Sequence, residues 1–289
     1  KLEIELATRK SGMISRQLNN TNFVEFFEVQ LERKNDSTKV VWENTLNHIK
    51  GYHGNRLKFE DLTSNWTEGF QSYLLERVSN NSALTYISKV NATLNVAVKQ
   101  KIIFENPYKF ITTLKNQEKE KVFLVKEEIQ KIIDTEFYNE DVKNAFLFSC
   151  YTGLRISDIV RLTWDNINGS KIHITQKKTK ELVYLPLNEN ALDILTKQDR
   201  SKEKVFNIGV RPKHINRMLR RLKRESSITK DFTFHSARHT FATILITSGV
   251  NIFTVSKLLG HKDIESTLVY AKVIDEEKEL AVSRMPKFT

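Results

Sequence analysis

From Asn22 onward the apolar positions fall at helical spacing. Phe23, Phe26, Phe27 and Leu31 stand at i, i+3, i+4 and i+8, which gathers them on one face of an α-helix. Val40, Val41, Leu46 and Ile49 predict a second, less regular helix. Residues Trp66 to Val78 predict a third, with Phe70, Tyr73 and Leu74 on one side. The clearest runs from Ser82 to Lys101, where Leu84, Ile87, Val90, Leu94 and Val98 keep the period and Asn81 or Ser82 can cap the first turn. Together these predict a helical domain over residues 21–109, preceded by a polar flank at residues 1–20.

Asn106-Pro107 closes that domain, and the charged stretch at 110–123 reads as a linker. A second domain, 124–289, opens on Leu124, Ile129, Ile132 and Ile133. Residues 142–151 predict an apolar helix that stops at Tyr151-Thr152-Gly153, where Gly153 suits a C-cap. The period then changes to two. Ile172 and Ile174, and again Leu182 and Tyr184, mark two short strands joined by the cationic turn Gln176-Lys177-Lys178-Thr179-Lys180. Helical spacing returns with Ile215, Met218, Leu219 and Leu222. The predicted fold is mainly α with a small antiparallel β-sheet in the C-terminal domain. Only 9 Gly and 4 Pro in 289 residues agree with helix over an all-β fold. The last segment, Asp275 to Thr289, carries Leu280, Val282, Met285 and Phe288, and it packs either on a neighbouring protomer or on its own domain.

Charge narrows the function. Lys and Arg number 46 against 35 Asp and Glu, a formal charge of +11, so a polyanionic partner is expected. No apolar run approaches the roughly 18 residues that span a bilayer, which makes nucleic acid a better partner than membrane. The excess is densest along the Ile215–Leu222 stripe, where Lys213, Arg217, Arg220, Arg221, Lys223 and Arg224 face a single acid, Glu225. Like charges at i, i+4 repel, and a phosphate partner removes that cost. The lone Cys150 permits no intramolecular disulfide, fits a reducing cytoplasmic setting and reads as a small core residue. One Cys and scattered His do not supply the usual spacing of a metal site.

Four segments carry candidate chemistry: Tyr151 to Asp158; the Lys178 turn with Leu185-Pro186-Leu187; His235-Ser236-Ala237-Arg238-His239; and Gly260-His261 followed by Tyr270. Cleavage of a phosphodiester without metal needs cations on the non-bridging oxygens. Arginine serves best, being permanently charged and bidentate, and Arg155 and Arg238 would embrace the phosphate. A tyrosine nucleophile, with a pKa of about 10, needs a base or cations beside it. His235 stands three residues before Arg238 and shares its helix face. Lys178 on a hairpin tip can serve as general acid toward the leaving oxygen. Asp158 can pair with Arg155 and orient it.

Taken singly, each residue has a plain structural alternative. An Arg after Gly-Leu is commonly a salt-bridging residue, and a lone Tyr a core aromatic. His239 is turned about 100° from Arg238 on a helix and reads as a buried, hydrogen-bonded histidine. Tyr151 rivals Tyr270 by proximity to Arg155, but it precedes a helix-ending glycine and reads as packing.

The ordered set resembles the tyrosine recombinase, or phage integrase, family, and integrases of phages and conjugative transposons in particular. The resemblance covers about residues 125–275. It implies a catalytic set of Arg155, Lys178, His235, Arg238, His261 and Tyr270. Lys178 takes the lysine position, over Lys177 and Lys180, because it stands eight residues before Pro186. The N-terminal part resembles the SAM-like core-binding domain of these enzymes, and the implied architecture is a two-domain clamp on duplex DNA. Similar integrases often carry an arm-binding domain upstream, which agrees with a chain that begins at Lys1.

The implied chemistry is site-specific recombination. Tyr270 attacks the scissile phosphate, forms a 3′-phosphotyrosine and releases a 5′-hydroxyl. His235 takes the tyrosine proton, shared with His261, and neither ATP nor metal is required. Lys177, Lys180, Lys213, Arg217, Arg220, Arg221 and Arg224 are expected on the DNA. Expected partners are double-stranded DNA, further copies in a tetramer and accessory DNA-bending proteins, in a bacterial cytoplasm on the nucleoid. A type IB topoisomerase-like relaxing enzyme and a DNA-binding protein that no longer cuts are the other readings.

Overall fold

A computed structural model describes residues 22–117, 120–209 and 212–270. The polar flank and the C-terminal segment from Asp275 lie outside the described residues, as does the side chain of Lys213. The chain divides into two compact units, Lys1–Lys119 and Glu120–Thr289.

Among the described residues the first unit holds four α-helices: α1 (Phe23–Glu32), α2 (Asp36–His53), α3 (Ser64–Leu75) and α4 (Asn80–Lys99). Three of them begin where a short polar side chain accepts an amide of the first turn: Asn22 from Val24, Asn35 from Thr38 and Thr63 from Trp66. α4 starts two residues before the sequence reading places it, with Ser79 at its N-cap. Asn81 is spent elsewhere. Its amide donates to the Gln117 carbonyl at 2.7 Å and its oxygen accepts the Gln117 amide at 2.9 Å. Phe23, Phe27, Ile49, Phe70, Leu74 and Leu94 are fully buried at the centre of this unit. Much of the stretch read as linker belongs here too. Ile111 and Leu114 pack on this core, and Asn80 donates to the Lys115 carbonyl at 2.8 Å.

The second unit is built around α6 (Glu140–Thr152), which follows α5 (Lys126–Asp134). Val142, Ala145, Phe146, Leu147, Phe148 and Cys150 are all buried. A helix apolar on every side must be enclosed, and α8 (Glu189–Thr196), α9 (Pro212–Glu225) and α10 (Phe234–Thr247) pack around it. A single turn, α7 (Ile156–Ile159), leads to an antiparallel sheet, three-stranded among the described residues, and α11 (Ile252–Leu259) and α12 (Glu265–Leu268) follow α10.

The sheet runs β1 (Ile167–Asn168), β2 (Lys171–Thr175), β3 (Leu182–Pro186), of which the two-residue β1 is too short for a periodic signal. In β3 the buried residues are not the pair whose alternation marks the strand in the sequence. Val183 and Leu185 face the core, while Leu182 and Tyr184 are more than half exposed. The segment Leu182-Val183-Tyr184-Leu185 is apolar throughout, so alternation alone leaves its phase open. Pairing with β2 decides it, because Ile172 lies opposite Leu185 and Ile174 opposite Val183.

Two helix ends position the site. α6 stops at Gly153 (φ 68°) and α11 at Gly260 (φ 62°), both left-handed caps that favour glycine. Neither position has room for a methyl group. A Cβ at Gly153 would meet Phe241 Cδ1 at 2.5 Å, and one at Gly260 would meet Gln176 Nε2 and Val183 Cγ2 at 2.8 Å.

Candidate active site

Arg238 sits in the first turns of α10 and is only 2% exposed. Its Nη1 donates to the Gly153 carbonyl at 2.8 Å and its Nη2 to the Leu259 carbonyl at 2.7 Å. These carbonyls end α6 and α11, so two helix C-termini, each with partial negative charge, hold one cation. A guanidinium has five N–H donors. Two are used for anchorage, and an oxyanion can take the rest. Burial and the neighbouring Arg155 pull the Arg238 pKa down to about 9, which leaves it charged at neutral pH.

Arg155 is the N-cap of α7, just past the Gly153 cap. Its Nη1 donates to Gln176 Oε1. Gln176 is fully buried at the base of the cationic hairpin. Its Nε2 donates to the Leu259 carbonyl at 3.0 Å, and its Oε1 also accepts Thr179 Oγ1 at 2.9 Å. One amide therefore ties Arg155, the hairpin and the end of α11 together. Asp158, expected to orient Arg155, hydrogen-bonds elsewhere. Its Oδ1 accepts the Lys177 amide at 2.8 Å and Arg161 Nη2 at 3.2 Å, so it fixes the hairpin instead.

Lys177, Lys178 and Lys180 are exposed along that hairpin. Lys178 is the one whose charge acts on both His235 and His261. His261 follows the Gly260 cap, and its Nδ1 lies 2.7 Å from Thr267 Oγ1. Desolvation, then the charges of Arg238 and Arg155, push its pKa down to about 4. His235 reaches solvent, and desolvation by the atoms packed about its ring, followed by Arg238, Arg155, Lys178 and Lys121, lowers its pKa too.

Tyr270 follows α12 and is 4% exposed. Burial raises its pKa to about 12 against the opposing pull of Arg238 and Arg155, so the phenol is protonated at rest. Its hydroxyl lies 2.6 Å from Nδ1 of His239. The sequence reading sets His239 apart as a buried, hydrogen-bonded histidine. It is both, and its partner is the hydroxyl of the expected nucleophile. Being turned away from Arg238 was the wrong test of its place. His239 stands four residues after His235, hence on the same helix face, with the two ring centres 4.6 Å apart. Gln176 and Lys121, whose charge acts on His235 and His239, carried no sequence signal beyond their polarity.

The structure therefore brings Arg155, Arg238, His235, His261 and Tyr270 into one cluster with His239. Tyr151 is half-buried against the core and lies outside it. On α9, Ile215, Met218, Leu219 and Leu222 are buried, and Arg217, Arg220, Arg221 and Arg224 are exposed on the outer side. Arg221 is paired with Glu225 at 2.6 Å and lies 4.4 Å over the Tyr138 ring.

Comparison with known proteins agrees across the chain. A model described as the phage integrase family matches residues 94–277, and a phage integrase SAM-like domain matches residues 22–119. A tyrosine recombinase of Thermosipho africanus is 32% identical over 212 residues, covering 69% of this chain and 74% of that protein. Tyrosine recombinase XerD of Oceanobacillus iheyensis is 26% identical over 268 residues, covering 80% and 88%. Among solved structures, the Tn1549 transposon integrase in complex with transposon right end DNA superposes with a TM-score of 0.73 at 18% identity, over 90% of this chain and 100% of that one. A lambda integrase tetramer bound to a Holliday junction gives 0.74 at 18% identity, over 85% and 79%. These two likenesses are of fold. Among the described residues no helix is long and apolar enough to cross a membrane.

Proposed function

Because the chain belongs to the phage integrase family, we propose that it recombines DNA at specific sites, cutting and rejoining strands through Tyr270. The observation that carries this reading is the buried Tyr270 hydroxyl in a cluster with two arginines, one of them anchored on two helix ends. Arg155 and Arg238 hold the scissile phosphate and stabilise the charge that grows on its oxygens. Attack by Tyr270 conserves the bond energy in a 3′-phosphotyrosine ester, and a 5′-hydroxyl of the partner strand reverses the step. The proton of the phenol passes to a histidine of this cluster, which the sequence reading takes as His235, shared with His261. Lys178, on the hairpin fixed by Asp158 and Gln176, protonates the leaving 5′ oxygen. His261 also hydrogen-bonds the phosphate.

Residues 21–109 act as the core-binding domain, 110–123 as the connection, much of it packed on that domain, and 124–289 as the catalytic domain. Lys177, Lys180, Lys213, Arg217, Arg220, Arg221 and Arg224 contact the duplex. The active assembly is a homotetramer on paired sites, with accessory bending proteins, in the bacterial cytoplasm on the nucleoid. The relatives reported above are bacterial recombinases, and the lambda integrase tetramer bound to a Holliday junction is a fold neighbour.

The test is covalent capture. A pool of duplexes with randomised flanks, each nicked one side of a central phosphate, is incubated with the chain and run under denaturing conditions. A protein–DNA adduct forms with the wild type and not with Tyr270→Phe. No adduct from any member of the pool, or an equal one from Tyr270→Phe, would overturn the reading.

A further inference from the structure

We propose that His239 is a catalytic residue whose Nδ1 receives the proton of the Tyr270 hydroxyl as the tyrosine attacks the phosphate. This rests on Tyr270 being the nucleophile. Among the described residues, His239 is the group hydrogen-bonded to that hydroxyl, at 2.6 Å, within the reach required of a general base. Both side chains are buried, 8% and 4% exposed, so bulk water does not compete for the proton. Among the described residues, the other charged and titratable groups acting on His239 are His235, Lys121, Arg238 and His261.

These surroundings fix the direction of the bond. Desolvation, then the charges of His235, Lys121, Arg238 and His261, push the His239 pKa down to about 4, so its ring is neutral at pH 7. Tyr270 is protonated. The phenol therefore donates, Nδ1 accepts, and the ring proton sits on Nε2. A resting imidazole this acidic does not ionise a resting phenol. The bound phosphate changes this, because its negative charge among these groups raises the imidazole pKa. Transfer then accompanies attack, as the phenol grows acidic with bond formation to phosphorus.

The step balances. The Tyr270 O–H bond breaks and its proton takes the Nδ1 lone pair. The phenolic oxygen forms the O–P bond, the P–O5′ bond breaks, and O5′ takes a proton from Lys178. On rejoining, an incoming 5′-hydroxyl returns its proton to Lys178 while the departing phenolic oxygen recovers the one held by His239. His235 is left to the phosphate. Its ring lies edge-on to His239 with no hydrogen bond to Tyr270 among the described residues.

The experiment is single-turnover adduct formation on the nicked duplex captured above. His239→Asn keeps a polar atom near the Nδ1 position and holds the hydroxyl, but its amide takes no proton. His239→Ala removes both. General-base catalysis contributes roughly 100-fold or more, so both variants should slow the reaction by about that factor. Added imidazole should restore part of the His239→Ala rate in proportion to its unprotonated fraction. A fluorinated, more acidic tyrosine at position 270 should recover much of the His239→Asn loss and change the unsubstituted protein little.

His239→Asn within a few-fold of wild type would leave His239 a positioning group and overturn the proposal. An equal or faster His239→Ala would make the contact a resting latch and overturn it as well. So would a fluorinated tyrosine that recovers nothing, a measurement open to His239→Asn even where His239→Ala does not fold. Failure of the wild type to form any adduct would instead overturn the Tyr270 reading itself.

Discussion

The backbone amide of Lys177 donates to Asp158 Oδ1 at 2.8 Å, across 19 residues of chain. Asp158 is fully buried, and the same oxygen accepts from Arg161, whose Nη2 also reaches the Thr175 carbonyl at 3.2 Å. One carboxylate thus fastens the end of β2 and the first residues of the hairpin to α7. The lysine proposed as general acid is the next residue along.

Hydrogen bonds to a charged acceptor contribute roughly 1.5–3 kcal/mol. Asp158→Ala should cost about that much, and Asp158→Asn, which keeps an acceptor, less. The direct reporter is hydrogen exchange at the Lys177 amide, which should speed up markedly in Asp158→Ala while amides of the first unit stay unchanged. Adduct formation should slow with it, since Lys178 loses its footing. An unchanged Lys177 amide would show that the hairpin is held by other contacts.

The glycine at the end of α6 gives a second prediction. At Gly153 a φ of 68° and a Cβ contact of 2.5 Å with Phe241 act together. A left-handed conformation costs an ordinary residue roughly 1–2 kcal/mol, and overpacking adds roughly 1–3 kcal/mol. Gly153→Ala should therefore be strongly destabilising and should disturb Arg238, which is tied to the Gly153 carbonyl. Gly249→Ala, with φ 82° and nothing within 4 Å, should show the backbone cost alone. Gly209→Ala, with neither obstacle, should be close to neutral. Thermal melts of the three variants rank the two costs, and equal shifts for Gly153→Ala and Gly249→Ala would remove the packing argument.

The sequence made much of this legible, for definite reasons. Period-3.6 spacing marks a helix because burial selects one face, and Phe23, Phe27 and Leu31 show it without structural help. The triplet spacing of His235 and Arg238 is likewise a local geometric fact. Partnerships between distant polar groups leave no such trace. His239 and Tyr270 are 31 residues apart, and Gln176 and Leu259 are 83 apart. The phase of β3 was hidden for a related reason: its face is chosen by the strand beside it, not by its own composition.

The outer side of α9 gives a third prediction. Arg217, Arg220 and Arg224 are exposed opposite the buried stripe, and Arg221 is held by Glu225 and Tyr138. If these three arginines, none salt-bridged to a carboxylate among the described residues though Arg217 Nη2 lies 3.2 Å from His214 Nδ1, neutralise phosphates, each removed contact should lower the slope of log affinity against log salt by about 0.9. Arg217→Ala and Arg224→Ala should follow this, whereas Arg221→Ala should change the slope less, its charge being partly answered within the protein. Affinity for the captured duplex over a salt series measures it. A slope untouched by all of them would place the DNA on another face.

Acid should weaken the fold through its suppressed histidines. His239 and His261 are held down to about 4 in the folded chain, against about 6.5 for an unperturbed imidazole. Between these values the unfolded chain binds more protons than the folded one, so stability rises with pH across the window. The contribution is fully present above about pH 6.5 and is lost as pH falls through about 4. For His239, buried to 8% exposure, it is on the order of 1–3 kcal/mol, at 1.36 kcal/mol per pKa unit. Carboxylates titrate over part of the same range, so the diagnostic quantity is the difference between proteins. Denaturation midpoints of the wild type and His239→Asn should converge from pH 7 to pH 4.5 as the wild type loses this term. Bound DNA should shrink the effect, because a phosphate beside the rings lets them hold their protons. Midpoints that keep a constant separation over the whole range would mean that burial and the cations around His239 do not suppress its charge.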